Sequence, residues 1–466
     1  MRSTFIARQA GRVGARWWAA VCLAQLLSGC AVYHSQTLPT QPDWAGQTRA
    51  LNSDFSKVVL PGPAPASTAG GKAFSGVQLA SLAVLNNPDL RALRASKRVT
   101  QAQAVVAGML PPLQASASMD RVDHPGPGVS NGHAYGLSYS SGALLTHKDR
   151  KNAEQHHVDQ IALALLWQEW QVAQKARLLY SQWQADTEKL TFLQQAYDPH
   201  YCSNIKTAAN DGDMAPATAD AEQADCADSE TRIVSIKSDL QSEKAQLYAL
   251  LGLSPDADLA LSRQPFSPSA LNHDQALQAV KKIAQQRPDL LALKKGYESQ
   301  DATLRADILS QVPNITVGLS RSVDTGGVKS TGISLDLPFF TGIKKKIAVD
   351  RATRDALRNE YQARIDQADM EARSLIEKRA LLFSEFKKMQ QRKAGLAALF
   401  NKEKQAASQG DIDPVSYFQL RKTLRDVGLN ITEVGLNLAK VDISLTTILG
   451  MPLHDGKANS VGVGES

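Results

Sequence analysis

Asn87-Pro88-Asp89-Leu90-Arg91-Ala92-Leu93 returns two hundred residues later as Arg287-Pro288-Asp289-Leu290-Leu291-Ala292-Leu293, and the same landmarks follow each copy in the same order. First comes a proline beside a short alternating run (Pro112, Pro313). A Gly-Asp turn follows (Gly212-Asp213-Met214-Ala215-Pro216 and Gly410-Asp411-Ile412-Asp413-Pro414), and then a Leu-Gly ending (Leu251-Gly252-Leu253 and Leu449-Gly450-Met451). The offsets stay between 198 and 201 residues, so the register holds over a whole half-chain. The chain is therefore an internal duplication, with repeats at 76–254 and 255–453 and a tail at 454–466. Its period is too long for an ordinary solenoid.

The N-terminus carries Arg2, Arg8, Arg12 and Arg16, then an apolar run from Trp17 to Leu27, then Leu27-Ser28-Gly29-Cys30. Residues 1–29 read as a secretory signal, and the last four residues read as a bacterial lipoprotein box. The reading implies cleavage before Cys30 and lipidation of that residue, palmitate included; two or more acyl chains suffice for stable anchoring. Ala31 follows the cysteine where Asp would favour inner-membrane retention, so an outer-membrane destination is expected. The alternative is a plain signal peptide with an incidental cysteine. Residues 30–75, rich in Pro, Ser, Thr and Gly, read as a lipidated tether.

Removing residues 1–29 takes four arginines and no acid, and the formal charge falls from +6 to +2. The basic balance belongs largely to the targeting segment, which argues against a nucleic-acid partner. No later stretch is apolar enough for a transmembrane helix, so a bilayer crossing must use strands in a closed barrel. Aromatics make up only 6% of the residues, which suits long helices packed side by side better than one thick globule.

Leu113–Met119 and Tyr135–Tyr139 alternate on either side of His124-Pro125-Gly126-Pro127-Gly128, the signature of a β-hairpin. The second copy has Ile315–Ser320, Gly326-Gly327 and Gly332–Leu337. Weak alternation over short strands suits a barrel wall with one face to lipid and one to water. Four strands cannot close a pore, so several chains must share it. A very long helical pattern follows each hairpin. Ala368, Ala372, Leu375, Leu382, Phe386, Met389, Leu396 and Phe400 follow a 4,3 spacing broken by Arg379 and Lys393, a coiled-coil seam. The first copy has a similar stripe through Ile161, Leu165, Val172, Ala176, Leu179 and Trp183, with a break expected at Asp198-Pro199.

Cys202 and Cys226 flank the first Gly-Asp turn almost symmetrically, where antiparallel helices would bring them close. A disulfide across the hairpin and two unpaired thiols are both open readings in a compartment that permits disulfides.

The lipobox, the duplicated Pro-Asp-Leu segments, the paired hairpins, Leu337-Pro338-Phe339-Phe340-Thr341-Gly342 at a strand-to-helix junction and the glycine-containing helix turns together resemble the TolC-like outer-membrane efflux factors, in their lipoprotein branch. The resemblance runs from about residue 75 to residue 453. It implies a mainly α fold with a small β part. Long antiparallel helical hairpins would form an α-barrel in a homotrimer, and two β-hairpins per protomer would contribute to a shared 12-stranded transmembrane β-barrel. It also implies passive conduction, without enzyme activity or cofactor, as the outer-membrane exit duct of a tripartite efflux system extending into the periplasm. The implied partners are a periplasmic adaptor, an inner-membrane pump of resistance-nodulation-division type and outer-membrane lipid.

Adaptor contacts and the periplasmic gate of that family lie at the helix turns. The matching positions here are Gly212, Asp213, Gly410, Asp411 and Asp413, with Asp where the family usually has Leu. Tripled carboxylates would attract cations and raise one another's proton affinity; ordinary turn chemistry and helix capping explain the same residues.

Enzyme signatures are missing from the sequence. His156-His157 lacks a Glu at metalloprotease spacing, and neither a Cys-x-x-Cys nor a Gly-x-Ser-x-Gly elbow occurs. His124, His133 and His147 near the first hairpin either face water or meet passing metal ions. Trp167, Trp170 and Trp183 read as packing residues rather than a cargo site. Metal cations and small toxic organics are the expected cargoes. A structural coiled-coil lipoprotein bridging outer membrane and periplasm, and the exit duct of a type I secretion system, are the alternative functions.

Overall fold

The computed structural model describes residues 33–58, 73–110, 112–124, 126–263, 271–312, 315–336, 342–409 and 414–451. The signal segment, Cys30, Pro313, Leu337–Thr341, the second turn with Gly410, Asp411 and Asp413, and the tail at 454–466 lie outside them. The chain divides into two units, 1–43 and 44–466. Residues 33–43, the described part of the first, form no helix or strand. All that follows concerns the second.

Helix α1 spans Gly76–Asn86 and starts in a reciprocal capping box between Ser75 and Gln78. Helix α2, Pro88–Ala107, has proline in its first turn and Asn87 as its cap, whose side chain accepts from the Leu90 amide. The first hairpin follows as β1 (Gln114–Asp120) and β2 (Gly132–Ser140). Helix α3 then runs for 56 residues, Ser141–Ala196. The chain breaks where Asp198-Pro199 predicts: α4 covers Pro199–Asn210, with the Asp198 carboxylate capping it. Helix α5, Pro216–Leu251, returns to the start of the repeat.

The second repeat begins with α6 (His273–Val280) and α7 (Ile283–Gln286), which no sequence signal singled out and which occupy the place of α1. Helix α8 (Pro288–Leu309), strands β3 (Thr316–Val323) and β4 (Lys329–Asp336), and helices α9 (Ile343–Gln409) and α10 (Pro414–Leu449) complete it. At 67 residues, α9 is roughly 100 Å long at 1.5 Å per residue. Among the described residues no helix is long and apolar enough to cross a membrane.

Helix α3 packs against α1, α2, α5, α8 and α10. In the first repeat Leu79, Leu82, Ala176, Leu179, Leu247 and Leu251 form one buried cluster; in the second, Leu290, Ala368, Ala372, Ile376, Val441, Leu445 and Leu449 form another. Each buried leucine contributes roughly 1.5–3 kcal/mol relative to exposure. The predicted seam of α9 thus lies against α10, and Phe386 extends it into a third cluster with Val427, Ile431 and Leu438.

Gly252 and Gly450 end the two return helices in left-handed conformation, with φ of 63° and 68°. A Cβ on Gly252 would also meet the Asn86 carbonyl at 3.1 Å, so the position admits no side chain without displacement. The residues before Pro88 and Pro288 differ in what they do, since the Arg287 side chain does not cap its helix. Asn87 donates to the Leu250 carbonyl at 2.9 Å. Arg287 is instead buried, with its guanidinium 4.8 Å from the Trp167 ring centroid and its Nε donating to Asp289 at 2.7 Å.

The stretch expected as an extended tether is partly docked. Ala45 and Phe55 join the first core cluster, and Arg49 donates to both the side chain and the carbonyl of Asn86. Phe74 pairs with Leu261. The reason is local: Trp44–Lys57 offers apolar side chains and a hydrogen-bonding Arg that the Pro-rich part after it lacks.

Candidate functional site

The four strands form one antiparallel sheet in the order β1-β2-β3-β4. Over the part of the sheet nearest the helices its register separates the side chains into two unlike faces, whereas toward the loops the first of these faces also carries Arg321, Thr331 and Lys329. One row across all four strands reads Ala115, Leu137, Leu319, Ile333; the next residue on each strand gives Ser116, Gly136, Ser320, Gly332. The pattern repeats at Tyr139, Val317 and Leu335 against Ser138, Gly318 and Ser334. Leu137, Leu319 and Ile333 are 50%, 58% and 81% exposed.

A sheet in water hides its apolar face, whereas a membrane barrel turns that face to lipid and its polar face inward. Strands of 7–9 residues reach roughly 23–30 Å at about 3.3 Å per residue, near the height of an outer-membrane apolar band. The edges β1 and β4 have no strand partner among the described residues.

The first helix turn is held by its backbone. The Asp213 and Met214 amides both donate to the Ala208 carbonyl, at 2.9 and 3.1 Å, and Gly212 has φ 83°, a conformation that favours glycine. Asp213 is exposed at the end of this turn. Behind it Cys202 of α4 and Cys226 of α5 form a disulfide, with Cα atoms 5.9 Å apart.

Beyond the disulfide, polar and aromatic contacts tie the first hairpin to α10. Arg425 grips Asp225 with two hydrogen bonds of 3.0 Å and donates to Ser229 Oγ at 2.9 Å. Lys422 Nζ lies 2.9 Å from the same Asp225, and Gln419 donates to Glu222 at 3.0 Å. The Tyr201 and Phe418 rings stack with centroids 3.7 Å apart. Burial works against the Asp225 carboxylate, yet the hydrogen bonds from Arg425 and Lys422 together hold its pKa below the usual range. Burial, and then the Glu222 charge, push the Tyr201 hydroxyl up, so it stays protonated at every working pH.

Further along the hairpin, Glu243 of α5 faces Asp186 of α3. Burial first, then the charge of Asp186 and the hydrogen bond with it, push Glu243 up to about 8. Lys189 bridges Asp186 at 3.2 Å and Glu433 of α10 at 2.7 Å.

No protein-family model matches the chain, and no curated protein matches it in sequence. Its structure does find counterparts. CusC, described as undergoing conformational changes on folding and transmembrane channel formation, aligns with TM-score 0.65 at 16% identity over 91% of this chain and 100% of its own. The outer membrane protein VceC from Vibrio cholerae aligns at 0.64, with 15% identity over 81% and 96%. The outer-membrane channel OprN aligns at 0.66, with 13% identity over 90% and 99%. The chain has the TolC-like outer-membrane channel fold. The two-faced sheet and the paired helical hairpins are the elements that define this fold here, with a mainly α chain and a small antiparallel sheet.

Of the residues singled out in sequence, Gly212 and Asp213 share one exposed turn with the Cys202–Cys226 bridge behind it. Gly410, Asp411, Asp413 and Cys30 lie outside the described residues. His133 is on β2 beside Tyr135, His124 is in the hairpin loop and His147 is in α3, so the three do not converge. Among the described residues no group of three or more His, Cys, Asp or Glu side chains could hold a metal ion. Trp167 and Trp170 are buried packing residues, and Trp183 packs against the first core cluster. Sequence reasoning missed the Asp225–Arg425 link. Its one signal is the repeat register, which sets these residues 200 positions apart.

Proposed function

We propose that this chain is the outer-membrane exit duct of a tripartite efflux system, conducting substrates delivered from the inner membrane without chemistry of its own. The observation that carries the reading is the sheet: an exposed apolar face, a Ser/Gly face and two free edges on the same four strands. Three copies joined edge to edge, β1 to β4, give a 12-stranded barrel with Leu137, Leu319 and Ile333 toward lipid and the serines toward water. The long helices continue the passage into the periplasm, and lipid on Cys30 anchors the N-terminus to the same membrane.

The turn at Gly212 and Asp213, and its counterpart at Gly410, Asp411 and Asp413, is the end that meets a periplasmic adaptor and a pump of the resistance-nodulation-division type. Cargo is a metal cation or a small toxic organic. A bridging lipoprotein without a pore would leave the apolar sheet face without a purpose. Accumulation of divalent metals and fluorescent dyes in cells lacking the chain, against cells restored with it, tests the reading. Restoration lowers the retained amount of at least one class if the chain is an efflux duct; equal retention of every compound in both strains contradicts it.

A further inference from the structure

Where the sheet gives way to the long helices, both repeats place cations, and in the second repeat they stand at an electrostatically unfavourable position. Helix α9 opens with Ile343-Lys344-Lys345-Lys346 and has no acid in its first turn, and α3 carries Lys148, Arg150 and Lys151, with Asp149 among them, in its third turn. The N-terminus of a helix carries the positive end of its macrodipole, which disfavours cations in its first turn. Asp307 of α8 offsets part of this, since Lys346 Nζ lies 2.8 Å and Arg150 3.6 Å from it. Lys148, Lys151, Lys344 and Lys345 remain exposed.

These cations stand among exposed apolar side chains. Lys151 lies beside Gly108, next to Met109 and Leu110, which are 61% and 60% exposed; Asp307 is followed by the half-exposed Ile308 and Leu309, and Leu144 and Leu145 start α3. An apolar surface studded with long basic side chains matches the boundary of a bilayer, where the stems lie on acyl chains and the ammonium groups reach the phosphates. The belt continues directly from the apolar sheet face through β2 and α3, which are contiguous in sequence at Ser140 and Ser141.

We propose that this belt binds anionic phospholipid headgroups of the periplasmic leaflet and sets the depth at which the barrel sits. The proposal rests on the duct reading, because only a sheet inserted in a bilayer brings the belt to that leaflet. Four lysines per chain, tripled in the assembly, make the interaction salt-dependent and selective for charge over headgroup shape.

The test uses the full-length lipidated protein purified in detergent. Titrations with phosphatidylglycerol, phosphatidylethanolamine and lipopolysaccharide are read by native mass spectrometry, and trimer mass and bilayer conductance are measured on the same preparation. The expected result is preferential retention of phosphatidylglycerol that weakens as salt rises. In K344Q/K345Q the retention falls roughly 25-fold, at about fivefold per lysine near an anionic surface, and in K402Q/K404Q on the distant part of α9 it does not change. Equal retention of the zwitterionic lipid, a larger loss of lipopolysaccharide than of phosphatidylglycerol in K344Q/K345Q, or salt-independent binding by the wild-type protein overturns the proposal. A preparation that is trimeric and conducting but shows any of these overturns the lipid belt alone, whereas one that neither trimerises nor conducts overturns the duct.

Discussion

Arg425 and Asp225 come from different repeats and meet as a two-pronged ion pair, Nη1 to Oδ2 and Nη2 to Oδ1 each at 3.0 Å. Arg425 is almost fully buried and Asp225 largely so. Removing one partner of such a pair leaves the other charge desolvated, at a cost of about 3 kcal/mol. R425A is therefore expected to destabilise the junction of α5 with α10 and to speed hydrogen exchange around residues 222–229, with little change in the sheet. R425M/D225L is expected to recover most of the loss, since the charges it leaves without a partner, Lys422 and Asp426, reach solvent.

The same pair makes stability fall in acid. The native pKa of Asp225 is below its unfolded value, so its contribution is complete above the unfolded value of about 3.9 and is lost as pH falls through the native one. Thermal melts of wild type and D225N are expected to converge as the buffer is taken below pH 4 and to separate above pH 5.

Glu243 works in the opposite direction. Its native pKa is raised to about 8, above the unfolded value of about 4.3, so the native state holds the extra proton between these limits and stability declines as pH rises across them. E243Q is expected to melt at a higher temperature than wild type at pH 8 and at nearly the same temperature at pH 4.5. An unchanged difference across that range would show that Glu243 and Asp186 do not share a proton.

The Cys202–Cys226 bridge closes a loop across 24 positions around the first turn. Chain-entropy arguments give it roughly 3 kcal/mol against unfolding of the hairpin tip. Reductant is expected to lower the midpoint of local unfolding in wild type and to have no effect on C202S/C226S, and mass spectrometry with alkylation reports the thiols directly.

The two faces of the sheet predict different phenotypes from neighbouring residues. L319D puts a carboxylate on the apolar face and is expected to reduce recovery of assembled protein from outer membranes. S320D puts the same charge on the Ser/Gly face and is expected to leave assembly intact while shifting single-channel selectivity toward cations.

Much of the architecture was legible because it is written in backbone chemistry and period. Pro88 and Pro288 start helices, Asp198-Pro199 interrupts one, and Gly252 and Gly450 end two, each for reasons that act within a few residues. The seam from Ala368 to Phe400 was legible because one α10 surface buries it. The contacts that join the repeats were not. Nothing local distinguishes Asp225 and Arg425 from solvated helix charges until α5 and α10 lie side by side. Helices α6 and α7 escaped notice because they are short and interrupted, where α1 is one capped segment. The docking of Trp44–Lys57 was hidden by the prolines beside it, which made the whole stretch read as linker.

If three copies close one barrel through the edges of β1 and β4, channel recording from protein of defined mass will register it. Purified full-length protein, sized in detergent and fused into planar bilayers, is predicted to be a heat-resistant trimer with sheet content and to give uniform conductance steps that S320D alters and that become rarer with L319D, which yields less assembled protein. A monomer, or an assembly of purely helical spectrum that leaves the bilayer silent, would rule out a shared barrel.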